Sequence, residues 1–219
     1  MKSPPNQEVE VKLSVPDLAG LRRRLARLKL RPAATGRAHE MNTLFDTPQG
    51  GLAKHGQLLR LRIEEPPGKP RGSGMAGQKL AVLTYKGPSV RANPPGSTPG
   101  ARYKIRQELE ASVADPGQLQ AILEALGLKG WFRYEKFRTR YELPRAYRWA
   151  GGLQVELDET PIGVFVELEG PAEAIDRVAK LLGYGPKDYI TKSYLALYLN
   201  QCRKQRVPPG DMLFPTKKK

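Results

Sequence analysis

The chain has one cysteine, Cys202, and two histidines, His39 and His55, among 219 residues. A lone thiol excludes an internal disulfide and a multi-cysteine metal site, and it fits a reducing cytoplasm. The two histidines stand apart, in or near loops, and offer no imidazole cluster to a transition metal. Tryptophan is scarce, and Trp131 and Trp149 read as packing residues. No stretch approaches the roughly 20 consecutive apolar residues of a membrane span. The polar start Met1-Lys2-Ser3-Pro4-Pro5 leads into no apolar segment, so no secretory signal is expected. Acidic residues are in deficit, 22 against 37 Lys and Arg, which gives a net charge of +15. That excess attracts polyanions: polyphosphate, nucleotides or nucleic acid.

Apolar residues are also few, 39% of the chain. Such a chain still folds if part of its charge lies in a wet interior. Five strand-like segments point that way, each with its charges on one face. They are Glu8-Val9-Glu10-Val11-Lys12, Arg60-Leu61-Arg62, Arg106-Gln107-Glu108-Leu109-Glu110, Lys136-Phe137-Arg138-Thr139-Arg140 and Glu167-Leu168-Glu169. Side chains alternate across a strand, so each segment has an ionic face and an apolar face. Lys86 and Asp158 join the ionic set from two further strands. The apolar faces carry Val9, Val11, Leu13, Leu59, Leu61, Ile63, Ile105, Leu109, Phe137, Tyr141, Val155, Leu157, Val166 and Leu168.

Amphipathic helices are available to cover those faces. Pro16-Asp17 starts one with Leu18, Leu21, Leu25 and Leu28 along a stripe. Asp115-Pro116 caps a second, Pro171 begins a third, and Ile190 to Leu199 forms a last. Residues 65–77 and 87–102 are Pro/Gly-rich loops inserted between strands. The fold class expected is α+β: a closed eight-stranded antiparallel barrel with flanking helices over residues 1–200, and a basic tail over 201–219. Closure turns the charges inward, where water, metal and ligand solvate them. Leu80 and Val82 share the parity of Lys86, so either a bulge resets that strand or its wall is apolar.

Carboxylates two apart on a strand lie about 7 Å apart on one face and reach a shared hard cation. Oxygen ligands alone suit Mg²⁺ or Mn²⁺. Guanidinium forks and lysine ammonium groups suit phosphate oxygens. The two sets together are the equipment of metal-assisted phosphoryl transfer. Asp46, in Asp46-Thr47-Pro48, reads as a turn-fixing residue.

Glu8-x-Glu10-x-Lys12 resembles the ExExK signature of the CYTH superfamily, the triphosphate tunnel metalloenzymes. Further motifs follow in order: Asn42 to Pro48, Leu59-Arg60-Leu61-Arg62, Leu83 to Pro88, Arg106-x-Glu108-x-Glu110, Lys136-x-Arg138-x-Arg140, Asp158, Glu167-x-Glu169 and Thr191-Lys192-Ser193-Tyr194. The resemblance implies a tunnel that takes a triphosphate. Lys12, Arg60, Arg62, Lys86, Lys136, Arg138 and Lys192 would hold phosphate, joined by Arg106 and Arg140 on the same face. Glu8, Glu10, Asp158, Glu167 and Glu169 would hold metal, and Glu108 and Glu110 would orient water or a second metal beside Lys86. The activities implied are triphosphate hydrolysis, with tripolyphosphate first, or adenylyl cyclisation of ATP. A non-catalytic binder of polyphosphate, nucleotide or RNA is the rival from another class, with nucleic acid on the outer basic patches not favoured. One position departs from the family pattern. Leu44 stands where hydrolytic members carry a tyrosine that pairs with the lysine matching Lys86.

Overall fold

A computed structural model describes residues 7–65, 67, 80–89 and 103–215. Most of both Pro/Gly loops and the lysines at 217–219 lie outside the described residues. Eight strands close into one antiparallel barrel: β1 (Gln7–Ser14), β2 (Arg31–Asp46), β3 (Leu58–Glu65), β4 (Leu80–Lys86), β5 (Lys104–Val113), β6 (Lys129–Glu142), β7 (Gln154–Thr160) and β8 (Gly163–Glu169). Their order around the barrel is β1-β5-β4-β3-β2-β6-β7-β8. The expected architecture is the observed one.

Five α-helices accompany the strands. Helix α1 (Leu18–Arg27) starts where the Asp17 carboxylate accepts the Gly20 N–H at 2.8 Å. Its Leu21 and Leu25 are buried together with Ile175, Val178 and Leu182 from α4 (Ala172–Leu181) and its end. Beneath them lie Val9, Val11, Leu13, Val155, Leu157, Val166 and Leu168, the apolar outer faces of β1, β7 and β8. Helix α3 (Pro116–Ala125), capped by Asp115, brings Leu123 onto Phe45 and Leu61. The short α2 (Gly51–Lys54) hangs on Asp46, whose carboxylate accepts the N–H groups of Thr47, Leu52 and Ala53 at 2.7–2.9 Å. Asp46 therefore fixes the turn, as its sequence context suggests.

Two elements differ from the sequence reading. The residues Glu40 to Phe45 suggest a short strand by sequence, but β2 begins at Arg31, because its pairing with β6 resumes beyond an irregularity between Pro32 and Arg37. The last helix, α5 (Tyr194–Gln205), starts four residues later than expected, because Ile190 is spent pairing with Lys12 in the barrel wall. It runs past the boundary drawn at residue 200. Strand β4 keeps unbroken register from Leu58↔Lys86 to Glu64↔Leu80. No bulge intervenes, and the wall there is apolar at Leu80 and Val82.

One barrel end is sealed from within. Leu44, Phe132, Tyr134, Phe165, Tyr194 and Met212 form a buried apolar cluster there, with Leu195, Leu197 and Tyr198 of α5 packed against it. Met212 exchanges backbone hydrogen bonds with β6, donating to Arg133 O at 2.9 Å and accepting from Glu135 N at 3.1 Å. Asp211 and Phe214 add bonds to Arg133 and Glu135. Residues 211–214 are thus bonded to the edge of β6. Met212 is 1% exposed. Met212→Ala is expected to destabilise the fold by about 2–5 kcal/mol, read from urea unfolding. A change below half a kcal/mol would mean that the segment is dispensable.

Candidate functional site

The barrel encloses a cavity of about 280 Å³ lined by nine basic and seven acidic side chains. The near balance leaves most of the +15 outside it. Its floor is Leu58, Tyr134, Ser193 and Tyr194, at the sealed end. The inward parity predicted for Glu8, Glu10, Lys12, Arg60, Arg62, Lys86, Arg106, Glu108, Glu110, Lys136, Arg138, Arg140, Glu167 and Glu169 places all of them on its wall. Asp158 lies behind the wall, fully buried. Lys192 is exposed and is not among the lining residues. It precedes α5 with its neighbours Ser193 and Tyr194 turned inward.

The carboxylates divide into two groups. Glu8, Glu108 and Glu169 bring oxygen atoms within 4.8 Å of one another. Lys86 bridges part of this group, with Nζ at 2.7 and 2.8 Å from the Glu8 oxygens and 3.1 Å from Glu108 Oε2. Burial and then the neighbouring Glu10 push the Glu8 carboxyl up to about 9, against the pull of Lys86. Burial pushes Glu169 up to about 7, with Lys86 opposing and Glu108 and Glu167 adding repulsion. Despite its burial, Lys86 and the Glu8 hydrogen bond hold Glu108 below the usual carboxylate value. Buried carboxylates crowded together in this way suit a hard divalent cation.

The other acidic groups are already matched. Glu10 takes Lys12 at 3.1 Å and also Lys104, and despite burial the two cations hold its carboxyl far below the usual range. Glu167 takes Lys12 at 2.7 Å and also Arg138. Asp158 accepts Lys136 at 2.9 Å, Arg138 at 2.7 and 2.6 Å, and the Tyr194 hydroxyl at 2.7 Å. The five carboxylates read from sequence as metal ligands therefore do not all converge. Glu8 and Glu169 meet Glu108, which the sequence placed in another role. Glu10, Asp158 and Glu167 serve the cations.

Those cations form a ledge across β3, β6 and β5. Arg60 donates to Thr84 at 3.2 Å, and the Thr84 hydroxyl donates to Glu110 at 2.9 Å. Arg62 lies 3.6 Å from Glu110, which is half-exposed at the open mouth. Arg140 pairs with Glu64 at 2.9 and 3.1 Å. Arg106 Nε and Nη1, Arg60 Nε and Arg62 Nε are buried without a hydrogen-bond partner. Unmatched buried guanidinium N–H groups in the wall of a cavity suit an anionic ligand.

Lys86 is held above the ordinary lysine value by Glu8 and Glu10, despite its burial. It therefore stays charged at neutral pH. Leu44, in the apolar seal, brings no hydroxyl to it.

Sequence reasoning gave no role to Lys104, Glu156, Glu64, Glu40, Tyr134 and Tyr194. The first three lie two residues from an assigned inward charge (Arg106, Asp158 and Arg62), so extending the same parity one step finds them. Glu40 hides because Leu44 breaks the ionic pattern of β2. Tyr194 comes from a helix and has no strand parity to betray it.

The CYTH domain family matches residues 6–194. The chain belongs to that family. Solved structures share its fold. A candidate adenylate cyclase from Vibrio parahaemolyticus is 19% identical with a TM-score of 0.65, covering 89% of this chain and 98% of its own. A protein from Pyrococcus horikoshii OT3 is 23% identical, also with a TM-score of 0.65, over 89% and 99%. A candidate adenylyl cyclase from Hippeastrum, described as having a dominant triphosphatase activity, is 19% identical with a TM-score of 0.57, over 89% and 96%. At these identities the likeness is one of fold. No curated protein matches the chain. Among the described residues no helix of this CYTH protein is long and apolar enough to cross a membrane.

A cation at Glu8, Glu108 and Glu169 has to displace protons. The raised carboxyls favour the metal-free fold below about pH 4.5. That contribution is lost as pH rises through about 7 for Glu169 and about 9 for Glu8. Mn²⁺ is therefore expected to raise the thermal midpoint more at pH 8 than at pH 6. Equal shifts at both pH values would contradict the assignment.

Proposed function

We infer that this chain is a divalent-metal-dependent triphosphatase acting on inorganic tripolyphosphate or a related triphosphate. One observation carries the reading. Within one cavity, three carboxylates converge, and the same wall carries Arg60, Arg62 and Arg106, each with at least one buried guanidinium N–H that has no hydrogen-bond partner. Glu8, Glu108 and Glu169 would hold Mg²⁺ or Mn²⁺. When bound, such a cation neutralises phosphate charge and polarises phosphoryl oxygens. Arg60, Arg62 and Arg106 hold the phosphate chain, with Lys12, Lys136, Arg138 and Arg140 lining the wall around it. Their fixed charges cost little reorganisation as negative charge shifts toward the leaving group. Water attacks the terminal phosphorus, the anhydride bond to the next phosphate breaks, and phosphate and pyrophosphate result. The water proton passes to Glu110, since Glu108 would hold the cation and Lys86 is already protonated. The buried single thiol of Cys202 agrees with a cytoplasmic setting.

The test is to incubate the purified protein with tripolyphosphate, thiamine triphosphate or ATP and with Mg²⁺ or Mn²⁺, measuring phosphate and cyclic AMP. Phosphate release that needs the cation is expected. Cyclic AMP with pyrophosphate and no phosphate would make the protein a cyclase. Tight binding without turnover would make it a binder.

A further inference from the structure

Glu40 is fully buried in the barrel, and neither of its carboxylate oxygens has a hydrogen-bond partner. Buried carboxylates are normally bonded, because an unbonded one is costly. Three cations surround it without bonding: Lys136 Nζ at 3.4 Å, Arg138 Nε at 3.7 Å and Arg140 Nη2 at 3.9 Å. Each is anchored by a shorter contact elsewhere. Lys136 has Asp158 at 2.9 Å, Arg138 has Asp158 at 2.7 Å, and Arg140 has Glu64 at 2.9 Å. Glu40 is therefore not what holds any of the three in place. Against its burial, Lys136, Arg138, Arg62 and Arg60 keep its carboxyl down at about 2, so it is always ionised.

What remains is its charge. Glu40 itself does not line the cavity, but the five cations named all do. It stands behind them, where a substrate cannot displace it. We propose that Glu40, a fixed counter-charge acting through these cations, limits how tightly this ledge grips phosphate, so that the pyrophosphate and phosphate products leave. A ledge without it would present the same donors with one fewer opposing charge in a poorly screened interior, where such a charge acts strongly on a bound polyanion. This rests on the reading of the cavity as a triphosphate site.

The test compares wild type with Glu40→Gln, which keeps shape and removes charge. Kd for pyrophosphate and tripolyphosphate is measured by calorimetry with Mg²⁺, together with KM and kcat. Both Kd values and KM are expected to fall at least about tenfold, with kcat falling as release slows. A residue that merely supports the fold would instead raise KM. Unchanged or weaker binding in a folded Glu40→Gln protein overturns the proposal. Should that variant not fold, Asn42→Asp supplies the reciprocal. Asn42 is the next inward residue on β2 and is 2% exposed with both amide atoms unpartnered. A carboxylate there should weaken pyrophosphate binding about tenfold or more, and no change would overturn the proposal. Failure of wild type to bind either phosphate would sink the triphosphatase reading itself, a separate outcome.

Discussion

Glu8→Gln is expected to lower metal-dependent triphosphate turnover by on the order of a thousandfold or more. Glu8 belongs to the convergent carboxylate group and bonds Lys86 through both oxygens, so it links the metal ligands to a cation of the wall. An amide offers one neutral oxygen where a carboxylate offers two charged ones, and a hard cation discriminates strongly between them. The fold should tolerate the change. Glutamine keeps the shape of the side chain and one acceptor oxygen for Lys86, and it removes a charge whose burial is costly enough to push the Glu8 carboxyl up to about 9. Thermal midpoints without metal should therefore agree within a few degrees, while the rise produced by Mn²⁺ should disappear. Wild-type turnover in the variant would remove Glu8 from the metal set. A collapsed midpoint without metal would show that its charge holds the barrel together.

Arg138→Met is expected to have the largest effect on stability, about 3–5 kcal/mol of the 5–15 kcal/mol typical of a domain. Arg138 is the hub of the interior. It contacts Asp158, Glu156 and Glu167, with Glu40 nearby, at 7% exposure. Methionine fills similar space but strands those carboxylates in a poorly hydrated wall. The loss should also depend on pH. Without the guanidinium the three acids have raised values in the folded state, so stability is retained below about pH 4.5 and falls as pH rises through them. Urea midpoints from pH 4 to pH 8 would display this slope, and a pH-independent loss would point to packing instead. Exposed Lys192 is the control: Lys192→Ala should change stability by no more than about half a kcal/mol.

The barrel was legible because strand alternation is a local property. Val9, Val11 and Leu13 had to face one way, and Glu8, Glu10 and Lys12 the other. Inward charges then required closure, since an open sheet would have left the apolar faces and the helices that cover them without their match. The same logic placed Arg60, Arg62, Arg106, Lys136 and Arg138 on the cavity wall. It failed where the pattern was interrupted or came from elsewhere. Leu44 broke the ionic run of β2 and concealed Glu40. Tyr194 entered from a helix. The segment around Met212 looked like a solvated tail because its pairing with β6 is formed some 80 residues away along the chain.

The sequence by itself determined that the charges share one face, that oxygen ligands rather than thiolates or imidazoles face the cavity, and that the fold is a closed barrel. Only the tertiary structure decided which carboxylate meets which cation. Parity assigns a side chain to a face, but register and barrel stagger assign its neighbours. Those neighbours separate Glu8, Glu108 and Glu169, whose oxygens converge beside Lys86, from Glu10, Asp158 and Glu167, each held by two cations.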